Sequence, residues 1–508
     1  MIKKNGIVLW FIMQVLIVGS LYSQNKTRTQ KAEAPSKPNI LMIVVDDYGW
    51  RDIHKYGSDF YETPNMDRLI NEGMMFTQAY ASYPRCVPSR YSIMTGTNPA
   101  RMKGDDTNEQ GYHIAAPNIS IGQAMKNAGY TTFYIGKWHL GGETEGPAFK
   151  GFDRTVAAGA AGATTSHFAP YNVGRNGKVP SEAPIPDVGN APQGECLEDR
   201  LTDETIALIK STGKQPFFGI LAQYAVHTPI EGKSEYVKYF QEKLKKSPPP
   251  DGPEYEKESA GETKLKQDNA KYAAMIKAVD DGVGKFLKAL DEAGLTRNTI
   301  IIVTSDHGGL SSRGNNRELA TSNKPLRAGK GHLYEGGLRV PLIVKWPGVV
   351  KPGSETSSMV IGADHFSTLL EIAGGKVPET QRNDGTSYVH ILKGGKPVLD
   401  RTLYWHNPAP RPTSTADIYS SAIRTGDYKL VDLYANNRIE LYNLKEDIGE
   451  AHDISARYPE LTRKLYAQLN AWRNVVKADM KVKQKGLPPA EKAEQKIESG
   501  KEMPNRQN

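Results

Sequence analysis

Cys86, one of two cysteines in a chain of 508 residues, opens the pentapeptide Cys86-Val87-Pro88-Ser89-Arg90. Pro88 suits the first residue of a helix, where its missing N–H would be unpaired anyway. Gly96 suits the left-handed position that closes one. Cys86 then sits at a helix N-terminus, where free N–H groups and the dipole favour an anion. Arg90, four residues on, falls on the same face. The plainer account is a buried or low-pKa thiol at a helix end. Other groups along the chain could join it. Asp46-Asp47 sets two carboxylates side by side, which is costly unless a cation offsets their repulsion, although Asp also favours turns and caps. Lys137 and His139 alternate, so an extended segment would project both to one side. His227 stands alone, and lone histidines are more often structural. Asp306-His307 precedes two glycines and also reads as a turn.

These groups share a kind of position. Residues 39–45 form a continuous apolar run, the pattern of a buried parallel strand, and end at Asp46-Asp47. Runs at 131–135, 217–224 and 298–305 end in the same way at Lys137/His139, His227 and Asp306-His307. In open α/β sheets the C-terminal strand ends line the ligand crevice. Between them lie helical spacings at 64–71, 198–211 and 271–293, and Ser120 with Gln123 makes a capping box. A Gly/Ala/Ser/Thr-rich loop up to Ser166 and His167 is expected near the site, and a charged insert at 243–266 is expected as a mobile, solvated rim. From about residue 399 short β-like runs appear, followed by a helix at 459–477.

Cys86-Val87-Pro88-Ser89-Arg90 with Thr95-Gly96 behind it resembles the active-site signature of type I sulfatases. The first Asp-Asp pair, the segment Gly136-Lys137-Trp138-His139-Leu140-Gly141, the histidine before Pro229, and Lys330 ahead of Glu335-Gly336-Gly337 follow in family order. The resemblance runs from about residue 38 to 444. It implies an alkaline-phosphatase-like fold: an α/β protein with a mixed, mostly parallel sheet flanked by helices, and a small C-terminal α+β subdomain with an antiparallel sheet. It implies that Cys86 is oxidised to formylglycine (3-oxoalanine) by a maturation enzyme, and that Arg90, Lys137, His139, His227 and Lys330 are catalytic. Lys324 is the weaker candidate for the position of Lys330. Asp46, Asp47, Asp306, His307 and the modified Cys86 would hold a metal. Hard oxygen ligands suit Ca²⁺, with Mg²⁺ second and Zn²⁺ disfavoured.

The N-terminus reads as an export signal over 1–23, with Lys3 and Lys4 before an apolar run too short for a membrane anchor. A linker over 24–37, a catalytic domain over 38–398, a C-terminal subdomain over 399–479 and a disordered tail over 480–508 complete the expected organisation. A periplasmic or secreted location follows. Cys196 is expected as a free thiol. Net charge is +8, which would attract polyanions. Without a nucleic-acid motif, and in an exported chain, a sulfated polysaccharide such as ulvan, carrageenan or a glycosaminoglycan is the expected partner. Two rivals stand beside this reading. A phosphatase or phosphonate hydrolase of the same superfamily would carry Ser or Thr at position 86. A binder of sulfated glycans without catalysis would keep the thiol.

Overall fold

The computed structural model describes residues 37–102, 107–108, 111–174 and 183–482. The expected signal, nearly all of the linker and the tail beyond 482 lie outside the described residues. The apolar run Asn-Ile-Leu-Met-Ile-Val-Val forms β1 (Asn39–Val45), buried throughout. Its side chains alternate between two cores: Leu41, Ile43 and Val45 enter one, Ile40, Met42 and Val44 the other. A strand covered on both faces needs no polar alternation, which is why it reads as one apolar block.

β2 (Met74–Tyr80), a small hairpin of β3 (Thr107–Asn108) and β4 (Gly111–Tyr112), β5 (Thr131–Gly136), β6 (Arg154–Val156) and β7 (Phe217–Ala222) follow. Then come β8 (Tyr255–Glu258), β9 (Gly261–Lys264), β10 (Thr299–Ser305), β11 (Ser312–Arg313), β12 (Arg339–Lys345), β13 (Ser354–Thr356) and β14 (Val360–Ile361). The central sheet runs β13-β2-β12-β10-β1-β7-β5-β6, with β14 also on β2. β10, β1, β7, β5 and β6 are parallel, and β12 runs antiparallel to β10 and β2. Val45 pairs with Ser305, so Asp46 and Asp306 leave neighbouring strands at one level.

Helices cover both faces. Pro64–Glu72, Leu197–Ser211 and Ala270–Glu292 bury their apolar stripes in one core. Cys86–Thr95, Ile121–Asn127 and Asp364–Ile372 bury theirs in the other. β15 (Thr402–Asn407), β16 (Ser420–Thr425), β17 (Tyr428–Leu433) and β18 (Arg438–Asn443) make the expected antiparallel sheet, with the helix Pro459–Val476 packed on it. Trp405 of β15 donates its indole N–H to the Ala81 carbonyl at 2.8 Å and shares a core with Tyr80, Met359 and Ile361.

Three local expectations are corrected. The 243–266 stretch is not a solvated loop: the helix Ser234–Lys246 runs into it, and β8 and β9 form a three-stranded sheet with β11. Some of its charges face water, while Glu258 and Lys264 are buried and paired with Arg327 and Asp268. Ser120 caps its helix by accepting from the Gln123 N–H, but the Gln123 side chain turns to Asn127 instead of closing the box. The signature helix begins at Cys86, with Pro88 inside its first turn. Any of the first four helical N–H groups lacks an intrahelical partner, so proline fits there as well as at the first position.

Candidate active site

Four adjacent parallel strands, β10-β1-β7-β5, deliver the polar groups. Asp46 and Asp47 follow β1, Asp306 and His307 follow β10, His227 lies beyond β7, and Lys137 and His139 follow β5. The signature helix meets them at Cys86 and Arg90. Gly96 closes that helix at φ 72°, as its lack of a Cβ permits.

The charges interlock. Lys137 Nζ lies 2.5 Å from Asp46 Oδ2, and Lys330 Nζ lies 2.7 Å from Asp47 Oδ1 and 3.8 Å from the Cys86 sulfur. Arg90 donates Nε to Asp306 Oδ2 at 2.9 Å and Nη1 to the Lys137 carbonyl at 2.8 Å. His307 Nε2 lies 3.3 Å from the sulfur and 3.2 Å from Asp47 Oδ1. Burial alone would raise the Cys86 thiol, but Lys137 and Lys330 outweigh it and hold the thiol well below its ordinary value. Burial, aided by nearby Asp46, pushes Asp306 up to about 7. Burial and Lys330 draw His227 down to about 4. Burial also lowers His139.

Cys86, Arg90, Lys137, His139, His227, Lys330 and the two polar pairs converge here; Lys324 does not, its Nζ pairing with Glu256 at 2.5 Å. Lys137 and His139 do not converge by alternation along an extended segment. His139 has φ 57° and its ring packs on Gly162, where an added Cβ would lie 2.3 Å from Cε1. Ser166 and His167 stand one layer back: Ser166 Oγ donates to Glu231, while His167 bridges Glu198 at 2.7 Å and the His227 carbonyl at 3.1 Å. Cys196 is free, as expected, but buried, and its thiol donates to Glu198 at 2.9 Å.

A cavity of about 420 Å³ opens above Cys86. His139, His227 and Lys330 line it, with Tyr83, Arg85 and Arg411. The last two carry no motif. Arg85 caps the signature helix and is tied to buried Asp417, from the segment before β16. A buried pair 332 residues apart leaves no local sequence signal.

The family model of the sulfatases matches residues 38–375. The chain belongs to the sulfatase family. A second model, of the C-terminal part of N-sulphoglucosamine sulphohydrolase, matches residues 328–475 of this sulfatase. It is 31% identical to a sulfatase of Formosa agariphila across 90% of this chain and 92% of that one. It is 30% identical to the N-acetylgalactosamine-6-sulfatase of Mus musculus across 74% of this chain and 70% of that one. Among solved structures, Ps i-CgsB in complex with a k-i-k-neocarrahexaose superposes with a TM-score of 0.69 at 29% identity, covering 86% of this chain and 93% of that one. The alkaline-phosphatase-like fold expected from the sequence is that of these neighbours, and this sulfatase is a sulfuric ester hydrolase.

Proposed function

We propose that this sulfatase is exported and removes sulfate from a sulfated polysaccharide or its oligosaccharides, with a formylglycine made from Cys86 and one Ca²⁺. The observation that carries the reading is the cavity itself: Cys86 lies at its floor beneath Lys330, His139 and His227, and no carboxylate lines it. The carrageenan oligosaccharide bound by Ps i-CgsB and the sugar named for the murine relative support a carbohydrate substrate.

The residues fit a hard cation. Ligand atoms of Asp46, Cys86, Asp306 and His307 lie within 4.8 Å of one another. Buried Asp46 Oδ1 has no hydrogen-bond partner among the described residues. Asp306 is pushed up to about 7 by burial and by Asp46 even with Arg90 beside it, a repulsion that a bound cation would offset. Asp46, Asp47, Asp306 and His307 would hold Ca²⁺, with Mg²⁺ the second choice. The ion would supply Lewis acidity at the sulfuryl oxygens. Formylglycine would supply a hydrated aldehyde as the nucleophile toward sulfur.

The chain's own groups divide the remaining work. Lys137 and Lys330 offset negative charge on the sulfuryl oxygens. Arg90, fixed at both Nε and Nη1, orients the group carried at residue 86. His227 turns Nδ1 to the Thr228 carbonyl at 2.8 Å, which leaves Nε2 to protonate the leaving sugar oxygen. An incoming sulfate brings negative charge beside Lys330 and raises His227 from its low resting value. Burial lowers His139, which favours the neutral imidazole that accepts a proton from residue 86.

Mass spectrometry of the Cys86 peptide from active protein tests the nucleophile. Replacement of the thiol by an aldehyde is expected, and an intact thiol in active protein would overturn the mechanism. His227→Ala tests the acid: it should cost far more on a sugar sulfate than on 4-nitrophenyl sulfate, whose leaving group needs no proton.

A further inference from the structure

The cations that face sulfur are already committed to carboxylates: Lys137 to Asp46, Lys330 to Asp47 and Arg90 to Asp306. Arg85, on the cavity wall, is spent on Asp417. Arg411 differs. It lines the same cavity, its side chain is exposed, and no polar group among the described residues pairs with its guanidinium. Its backbone is not loose. The Arg411 N–H reaches both Asp417 oxygens at 3.3 Å, and the Thr415 N–H bonds back to the Arg411 carbonyl at 2.9 Å. The neighbouring loop packs hard against this one, since a Cβ on Gly314 would lie 1.8 Å from the Pro412 carbonyl oxygen. From that loop Arg317 donates to Ser414 Oγ at 3.2 Å. Across the cavity, Gly162 and Ala163 present only small side chains.

A firmly held backbone carrying an unpaired guanidinium at the mouth of a carboxylate-free cavity is built to meet an anion away from the sulfur. We infer that Arg411 recognises a second anionic group on the substrate, a further sulfate or a uronate carboxylate beside the sulfate that is removed. Arg411 is thus a specificity determinant, and this rests on the sulfated-carbohydrate reading above. A guanidinium suits the task because its fork matches either oxyanion in a bidentate pair.

The test measures binding, so that it does not depend on turnover. In a Cys86→Ala background, calorimetry compares three disaccharides of galactosamine 6-sulfate: one with a neutral neighbour, one whose neighbour carries a second sulfate, and one with a uronate neighbour. At least one dianionic ligand should bind about 10- to 100-fold tighter than the monoanionic one, the range for a hydrogen bond to a charged group. Which of the two does so identifies the anion. Arg411→Ala should abolish that preference and leave monoanionic binding within about twofold, and Arg411→Lys should retain part of it. Absence of any preference, or its survival in Arg411→Ala, overturns the inference. The enzymatic reading fails separately, if matured wild-type protein releases sulfate from no sulfate ester.

Discussion

Asp417 is the sharpest place to test how the C-terminal segment supports the chemistry. Arg85, the residue before Cys86, donates Nη2 to Asp417 Oδ1 at 2.5 Å and to Thr415 at 3.1 Å, and Nη1 to the Ala409 carbonyl at 3.1 Å. Both side chains are almost fully buried. At an effective dielectric near 20, opposite charges at that 2.5 Å separation attract by roughly 6–7 kcal/mol. Removing two ions from water takes back several kcal/mol each. The pair is therefore near balance, while either ion alone is not. Asp417→Ala, which leaves Arg85 buried and unpaired, should cost about 3–5 kcal/mol, and Arg85→Met with Asp417→Leu should cost distinctly less than the single change. Urea denaturation reads both from the midpoint and slope. Burial would raise the Asp417 carboxyl, but Arg85 and His332 outweigh it and hold it below its ordinary value. A depressed carboxyl stabilises the fold above its unfolded pKa of about 4 and loses that effect as pH falls through the folded value. The cost of Asp417→Ala should thus shrink in acid. A loss below about 1 kcal/mol at neutral pH, or a double variant as damaged as the single, would refute the reasoning.

Three further outcomes are expected. Gly162→Ala drives a methyl into the His139 ring, since the added Cβ would lie 2.3 Å from Cε1; kcat should fall about 100-fold with little change in the melting midpoint. Glu335 and Glu450 flank buried Lys429 at 3.0 and 2.9 Å, and burial, with Glu335 adding to it, pushes Glu450 up to about 7. A carboxyl raised in this way keeps its proton in the folded state, so stability falls as pH rises from about 4.5 to about 7. Glu450→Gln should therefore gain on the order of 1–3 kcal/mol over wild type at pH 8 and nothing at pH 4, as read from denaturation at both. EDTA should lower the melting midpoint and Ca²⁺ restore it, because a ligand bound only to the fold stabilises it. In Asp46→Asn that response should vanish.

Strand ends were the most legible part of the site. β1 and β10 are apolar enough to be seen without periodicity, and the polar pairs that break them are therefore conspicuous. Their convergence needed only the rule that parallel strands point their C-terminal ends one way. The extended path assumed for 136–141 failed because His139 adopts a left-handed backbone, which its type does not announce. The 243–266 stretch misled because charge density says which face meets water, not whether the backbone is ordered. Arg85, Asp417 and Arg411 were invisible for a different reason. Their roles come from packing the segment before β16 against the start of the signature helix, and no spacing encodes a contact over 332 residues. Gly162 was hidden in a loop rich in small residues, where only the His139 ring above it distinguishes it from its neighbours.

Cys86 is 7% exposed, lies in the first turn of a regular helix and is wedged between Lys330 and His307. Once the chain has folded, a maturation enzyme would meet a buried cysteine held in a helix. Under the proposed mechanism the modification therefore belongs to the interval between synthesis and folding, and folding sets its deadline. Two folded populations would then result, one carrying the modified residue and one the thiol, in a ratio fixed by a race between two rates. Conditions that slow folding of the first 100 or so residues would enrich the modified one without changing any contact in the finished protein.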